Sequence, residues 1–187
     1  TGNLSALAQD NFKRLMAYSG ISHAGYMLLI VLSAKSNVSS TLFYYSAAYA
    51  VAGLAAFSVA LPVFKSTGSE LLSAFNGLGK KNPVMAAGLT MAMIGMAGIP
   101  PFAGFFGKFY LFTKAFESGL FYIVLLAVIN SMIGVYYYFK VIMAMYGKQP
   151  DETQIENPLS YQLVMWVCTA LSLLWGIVPS LLTDLLL

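Results

Sequence analysis

Cysteine and histidine occur once each, as Cys168 and His23. Neither a disulfide framework nor a thiolate or imidazole metal site can be assembled from so few ligands. Redox chemistry is therefore expected to lie outside this chain. Charge is scarce as well, with 9% of residues charged against 59% hydrophobic, where a soluble domain carries about 25% charged residues. The acidic residues Asp10, Glu70, Glu117, Asp151, Glu152, Glu156 and Asp184 all fall at turns or segment ends. A cation crossing the apolar part of the chain must then use lysine, histidine and water, because no carboxylate cage is available. No Lys/Arg stripe with interleaved aromatics is present, which argues against a nucleic-acid partner. A Gly-rich phosphate loop, a Ser-His-Asp set, strand alternation and internal repeats are also missing.

What remains is a string of long apolar segments, and the fold class follows: an all-α, polytopic transmembrane helix bundle in a lipid bilayer. Residues 1–9 read as the last turns of a preceding helix, and Asp10-Asn11 caps the next one. Complete crossings are expected at roughly 12–34, 40–64, 83–116, 120–146 and 159–182, as one transmembrane domain over 1–187. Thr67-Gly68-Ser69-Glu70 followed by Leu71, Leu72, Phe75 and Leu78 predicts a short interfacial helix ending at Gly77 or Gly79. The chain starts at Thr1 and lacks the n-region and cleavage site of a signal peptide, so it is expected to be part of a longer protein.

The third crossing is too long for one straight helix, since about 20 residues already span the hydrocarbon. Its middle contains Gly98, Pro100, Pro101, Gly104 and Gly107, which remove backbone donors and permit unwinding. A discontinuous helix at Gly98-Pro101 is therefore expected. Irregular backbone at membrane depth is tolerated where protein buries it or where it lines a wet cavity, and Lys108 lies just beyond the break. Two roles are open to Lys108: a long stem that snorkels to the interface, or a proton-relay group facing the interior, which the adjacent break favours.

In the first complete crossing Ser19, Ser22, His23 and Tyr26 share one helical face, with His23 about 15 Å of helical rise beyond Lys13 and so near mid-membrane. His23 reads either as a packed, hydrogen-bonded residue or as a relay member titrating near neutral pH. The same alternatives hold for Ser22 and Tyr26. Lys13, at the helix start, reads by position alone as a snorkelling group. Lys140, in the tyrosine-rich run Tyr136-Tyr137-Tyr138-Phe139-Lys140, is assigned either to snorkelling or to a relay, with snorkelling favoured. Tyr44, Tyr45 and Tyr49 form a stripe read as packing.

Lys13, Arg14, Lys65, Lys80, Lys81 and Lys148 collect on one side of the membrane, and Lys35 and Lys114 on the other. The positive-inside rule makes the first side cytoplasmic. A bacterial inner membrane and a periplasmic C-terminus are expected, with Lys108 in the outer half.

Three runs resemble the antiporter-like membrane subunits of complex I, the proton-pumping NADH:quinone oxidoreductase. The first is Gln9-Asp10-Asn11-Phe12-Lys13-Arg14-Leu15-Met16-Ala17-Tyr18-Ser19-Gly20-Ile21-Ser22-His23-Ala24-Gly25-Tyr26. The second is Gly98-Ile99-Pro100-Pro101-Phe102-Ala103-Gly104-Phe105-Phe106-Gly107-Lys108-Phe109-Tyr110, and the third Val135-Tyr136-Tyr137-Tyr138-Phe139-Lys140. The details are most similar to the N-subunit branch, also called subunit 2. Tyr45, Tyr49 and Gly53 stand where the larger relatives and the Mrp-type antiporters resemble H-x-x-x-H-x-x-x-K, and Lys108 stands where the M subunit has glutamate. Gly20 replaces the usual second serine of the A-Y-S-S run.

The resemblance implies the C-terminal portion of a fourteen-helix protein that couples quinone reduction to proton pumping through a lysine, histidine and water axis. It implies that Lys108 is the outward terminal lysine and Lys13 a further axis member, with His23 nearby. No cofactor is implied in this chain; NADH, FMN, iron-sulfur clusters and quinone would belong to other subunits. The implied partners are other membrane subunits, including M-type and small K/J-type ones. The chain would be a non-redox subunit of a translocase and would not act alone, since the glutamate-lysine pair of the earlier half is not in it. Two alternatives stay open: a subunit of a Mrp-type cation/proton antiporter, and a scaffold bundle of a membrane complex.

Overall fold

The computed structural model describes residues 1–32, 38–147 and 155–184. Lys35, Lys148, Asp151 and Glu152, used above for turns and orientation, lie outside the described residues. The helices are α1 (Gly2–Leu7), α2 (Phe12–Leu32), α3 (Val38–Thr67), α4 (Leu78–Lys81), α5 (Pro83–Ala97), α6 (Ala103–Glu117), α7 (Phe121–Gly147), α8 (Leu159–Ile177) and α9 (Ser180–Thr183). Among the described residues there is no strand, only an isolated antiparallel bridge between Asn11 and Leu71. Four helices, α2, α3, α7 and α8, are long and apolar enough to cross a membrane, and α5 is a shorter apolar helix. The chain is an integral membrane protein built as a helix bundle.

Local chemistry sets the helix starts. The Asn11 side chain accepts from Arg14 N–H at 3.0 Å, which caps α2. Asn82 does the same for Met85 N–H at 3.2 Å, with Pro83 in the first turn of α5. Helix α3 runs through Pro62 to Thr67, past the expected end at 64. The last crossing, expected to reach 182, stops at Ile177. Pro179 then opens the separate turn α9.

The expectation of one interfacial helix after Glu70 is corrected. Residues Leu72–Phe75 form a 3-10 turn, Gly77 takes a left-handed conformation (φ 70°), and α4 follows. Leu72, Phe75 and Leu78 recur every third residue, the period of a 3-10 turn rather than of an α-helix. All three are buried, while Leu71 is exposed.

Helix α3 forms the centre, packing on α8, α5 and α6. Lipid provides little hydrophobic drive between helices, so close approach of small residues does much of the work. Ala48, Ala52, Ala55, Ala56 and Ala60 give α3 its buried face. Outward-facing Leu28, Tyr122, Leu126, Met132 and Leu159 leave an apolar exterior suited to acyl chains or neighbouring helices.

Candidate proton site at the helix break

The break falls where the sequence places it, between Ala97 and Ala103. Gly98 adopts φ 81° and its N–H bonds Gly95 O at 3.1 Å, while Ile99 N–H reaches Ile94 O at 3.2 Å. This pair of bonds closes α5 as a Schellman turn and leaves the Ala97 carbonyl at the negative end of the helix dipole. Lys108 fills that position: its Nζ donates to Ala97 O at 2.6 Å. A Cβ on Gly98 would sit 2.8 Å from Lys108 Cδ, so the glycine also makes room for the lysine stem.

Two more glycines allow the broken ends to meet. A Cβ on Gly104 would lie 2.0 Å from Gly95 O, and one on Gly176 of α8 would lie 1.9 Å from Pro101 O. Both contacts are to backbone, so no side-chain motion relieves them. The Pro100-Pro101 segment is thus seated against α8, and α6 starts directly on α5.

Across from Lys108 stands His23, 4% exposed. The two line one cavity of about 10 Å³ together with Tyr45, Tyr49, Gly95, Met96 and Gly104, a volume close to that of a single water. His23 uses both ring nitrogens. Nδ1 is 2.6 Å from the Tyr45 hydroxyl and Nε2 is 3.1 Å from that of Tyr138. Tyr138 in turn hydrogen bonds with Ser19. The Tyr49 ring stacks on the imidazole with centroids 4.0 Å apart, which fixes the ring plane.

The other residues singled out in the sequence take different positions. Tyr26 presents its ring edge to His23 but directs its hydroxyl into a second network. There it accepts from Asn3 Nδ2 at 3.1 Å and from Asn130 Nδ2 at 3.2 Å, and Tyr137 donates to Asn3 Oδ1 at 2.9 Å. Ser22 bonds back to Tyr18 O at 3.3 Å and packs against Gly2 of α1, without a bond to His23. Lys140 ties α7 to the α1–α2 turn, donating to Gln9 O at 3.0 Å and Asp10 Oδ1 at 2.8 Å.

Lys13 pairs with Glu70, whose carboxylate also accepts from Asn11 Nδ2 at 3.3 Å. It lies over the Phe64 ring at 5.4 Å. It also lines an open groove with Met16, Tyr49 and Gly53. Tyr49 is therefore the residue that connects the Lys13 groove with His23.

Sequence reasoning missed several members. The helical spacing of Tyr44, Tyr45 and Tyr49 suggests packing, yet the Tyr45 hydroxyl engages His23 Nδ1. Tyr137 and Tyr138 point inward, whereas Tyr136, 59% exposed, is the outward one of the three. Asn130 did carry a signal, since an amide inside a lipid-length apolar run needs partners.

The comparisons with known proteins agree with this architecture. Residues 1–134 match the family model described as NADH:quinone oxidoreductase/Mrp antiporter, TM. The chain is 49% identical over 185 residues to the NADH-quinone oxidoreductase subunit N of Flavobacterium johnsoniae, covering 99% of this chain and 40% of the relative. It is 43% identical over 185 residues to subunit N of Cytophaga hutchinsonii, again covering 40% of that protein. The chain thus spans about two fifths of the length of the curated relatives it matches. Among solved structures, a chain of respiratory complex I from Thermus thermophilus superimposes with TM-score 0.82 at 33% identity, over 98% of this chain and 42% of that one. A chain of the Mrp complex from Dietzia shares the fold, with TM-score 0.87 at 19% identity over 98% of this chain and 43% of that one. By the family model over residues 1–134 and by its identity to these subunits, the chain belongs to the NADH:quinone oxidoreductase/Mrp antiporter transmembrane family.

Proposed function

We propose that this chain is the C-terminal part of an N-type subunit of proton-pumping NADH:quinone oxidoreductase and carries the outward half of its proton path. The observation that carries the reading is the arrangement at the break: Lys108, held on the C-terminal carbonyl of α5, shares a water-sized cavity with His23. A protonated lysine is stabilised there by the helix end. A second positive charge arriving on His23 faces it across a low-dielectric gap, and the repulsion favours release of the Lys108 proton to the outer side. Lys13 serves as the inner-side entrance, passing charge along the groove to Tyr49 and His23.

The subunit is a non-redox member of the translocase and works only in the assembled membrane arm, beside M-type and small K/J-type subunits. NADH, FMN, iron-sulfur clusters and quinone are bound by other subunits. The donor set supports this, because the single histidine has both ring nitrogens engaged by phenols and the single cysteine is buried alone in α8. The membrane is the bacterial inner membrane with the C-terminus in the periplasm, a reading supported by the distribution of basic residues. The Mrp-type antiporter reading is weaker, since Tyr45 engages His23 where those proteins resemble a histidine relay.

The test is proton uptake by inverted vesicles carrying the full-length protein with Lys108→Ala in the assembled complex, measured together with quinone reduction. Both are expected to fall. Unchanged pumping and electron transfer would leave Lys108 a structural group and favour the scaffold role.

A further inference from the structure

The hydrogen bonds around His23 form one continuous file, with Tyr137 joining it as a side branch at Ser19 and Tyr138. In order, the file runs Ser19 Oγ, Tyr138 hydroxyl, His23 Nε2, His23 Nδ1, Tyr45 hydroxyl. Each hydroxyl has one proton to donate, and a neutral imidazole has one N–H and one acceptor nitrogen. The imidazole has two neutral tautomers, and each one sets the donors along the file. In one, Ser19 donates to Tyr138, Tyr138 donates to Nε2, Nδ1–H donates to Tyr45, and Tyr45 points its own proton into the cavity it lines with Lys108. In the other tautomer Tyr45 donates to Nδ1 and Nε2–H to Tyr138, and the file is fully reversed when Tyr138 donates to Ser19.

We propose that Ser19, Tyr138, His23 and Tyr45 form a two-polarity proton wire that delivers protons to the Lys108 cavity. The inference rests on the function proposed above and assigns roles to three hydroxyl residues beyond the lysine and histidine. The step balances. A proton binds Ser19 Oγ, whose own proton moves to the Tyr138 oxygen. The Tyr138 proton moves to Nε2, the Nδ1 proton to the Tyr45 oxygen, and the Tyr45 proton to an acceptor in the cavity. One proton enters and one leaves, with one bond to hydrogen broken and one formed at each transfer.

Transit leaves His23 in its other tautomer and the file in its other polarity. A reset must therefore separate successive protons, which makes delivery stepwise. The entrance end is buried and sits close to the groove side, because Ser19 is within side-chain hydrogen-bonding reach of Tyr49, which lines the Lys13 groove. The exit end is the cavity wall at Tyr45. No hydroxyl of the file faces the exterior, since Ser19, Tyr45 and Tyr138 are all buried.

The experiment uses the full-length protein in the assembled complex, in inverted vesicles, with Tyr138→Phe, Tyr45→Phe and Lys108→Ala, and with Tyr136→Phe as the outward-facing control. Phenylalanine keeps the ring and removes the transferable proton. Loss of a positioned proton carrier is expected to cut proton uptake by about tenfold or more. The solvent deuterium isotope effect on the coupled rate should rise in both inner variants, since proton transfer becomes the slow step, and stay unchanged in the control. Full pumping in both inner variants overturns the wire. A fall in pumping with no change in isotope effect also overturns it, because that pattern marks a packing defect. If Tyr138→Phe does not assemble, Tyr45→Phe decides alone. Loss of pumping in Lys108→Ala with normal behaviour of the tyrosine variants rejects the wire and leaves the proposed function standing. Normal pumping in Lys108→Ala rejects that function itself.

Discussion

The ammonium of Lys108 is bonded at 2.6 Å to the carbonyl of Ala97, the last residue of the half-helix that precedes its own. One side chain thus spans the break, and its charge sits on the helix end that favours a cation. The tie holds α5 and α6 in register only while the lysine remains charged or hydrogen bonded. Structure and transport therefore depend on the same atom.

Arginine separates these two roles. Lys108→Arg keeps a positive donor near the Ala97 carbonyl, but a guanidinium does not release its proton in a protein. Assembly of the complex is expected to persist while coupled proton uptake is lost. Blue-native gels together with vesicle proton uptake check both halves of this expectation. Retained pumping in Lys108→Arg would show that no proton leaves this position.

The glycines at the break yield a prediction with a built-in contrast. Gly104→Ala drives a Cβ to within 2.0 Å of Gly95 O, and overpacking of this kind costs about 1–3 kcal/mol or more. Gly53, inside α3, has nothing within 4 Å of its Cβ position, so Gly53→Ala should be neutral or stabilising by about 0.5–1 kcal/mol. The thermal unfolding temperature of the full-length protein in detergent should fall for Gly104→Ala and stay level or rise for Gly53→Ala.

Much of this was legible in the sequence because membranes restrict the options so severely. Apolar length alone marks the crossings, and two adjacent prolines among glycines mark where one must break. Lys108 was legible beside that break, as a charge within an apolar run. Other features depended on rotation about a helix axis, which spacing within one segment does not fix. Tyr136, Tyr137 and Tyr138 differ by about 100° per residue, and only the packed bundle decides that Tyr138 reaches His23 while Tyr136 faces outward. The turn after Glu70 fits an α-helix only when Leu71 is counted on the buried face, and the exposure of Leu71 leaves Leu72, Phe75 and Leu78 at the three-residue spacing of the turn that forms. Lys13 looked interfacial by position, but its Glu70 partner lies in a separate loop that the sequence does not bring near it.

That loop gives a pH prediction. The hydrogen bond from Lys13, helped by Asn11, holds the Glu70 carboxyl below its usual value of 4.5. A carboxylate with a lowered folded-state pKa contributes stability that is fully present above the unfolded value and disappears as pH falls through the folded one. The loop contact should thus survive at pH 5 and weaken only under stronger acid. Glu70→Gln is expected to remove this dependence. Melting curves of wild type and variant, recorded between neutral pH and strong acid, should differ at neutral pH and converge in acid. Curves that stay parallel throughout would mean that the pair contributes nothing.

Asn3 is the hub of the second network, and its loss has a calculable effect. Its amide donates to Tyr26 and to Asn130 O at 2.7 Å and accepts from Tyr137. Asn3→Leu keeps similar bulk but leaves the Tyr137 hydroxyl without its acceptor inside the bundle, and an unsatisfied buried group costs about 1–3 kcal/mol. The adjacent ring of Tyr138 packs against that of Tyr137, tilted by 57° at a centroid distance of 4.5 Å, so a shift of Tyr137 is transmitted towards His23. Asn3→Asp restores an acceptor for Tyr137 but removes both donated bonds and adds a buried charge, which costs more than the neutral substitution. The expected order of melting temperatures is wild type, then Asn3→Leu, then Asn3→Asp. Proton uptake should fall in the same order, because the network acts on His23 through α7 position and not through a proton of its own. An Asn3→Leu protein that is destabilised yet pumps at full rate would separate this network from the path through His23.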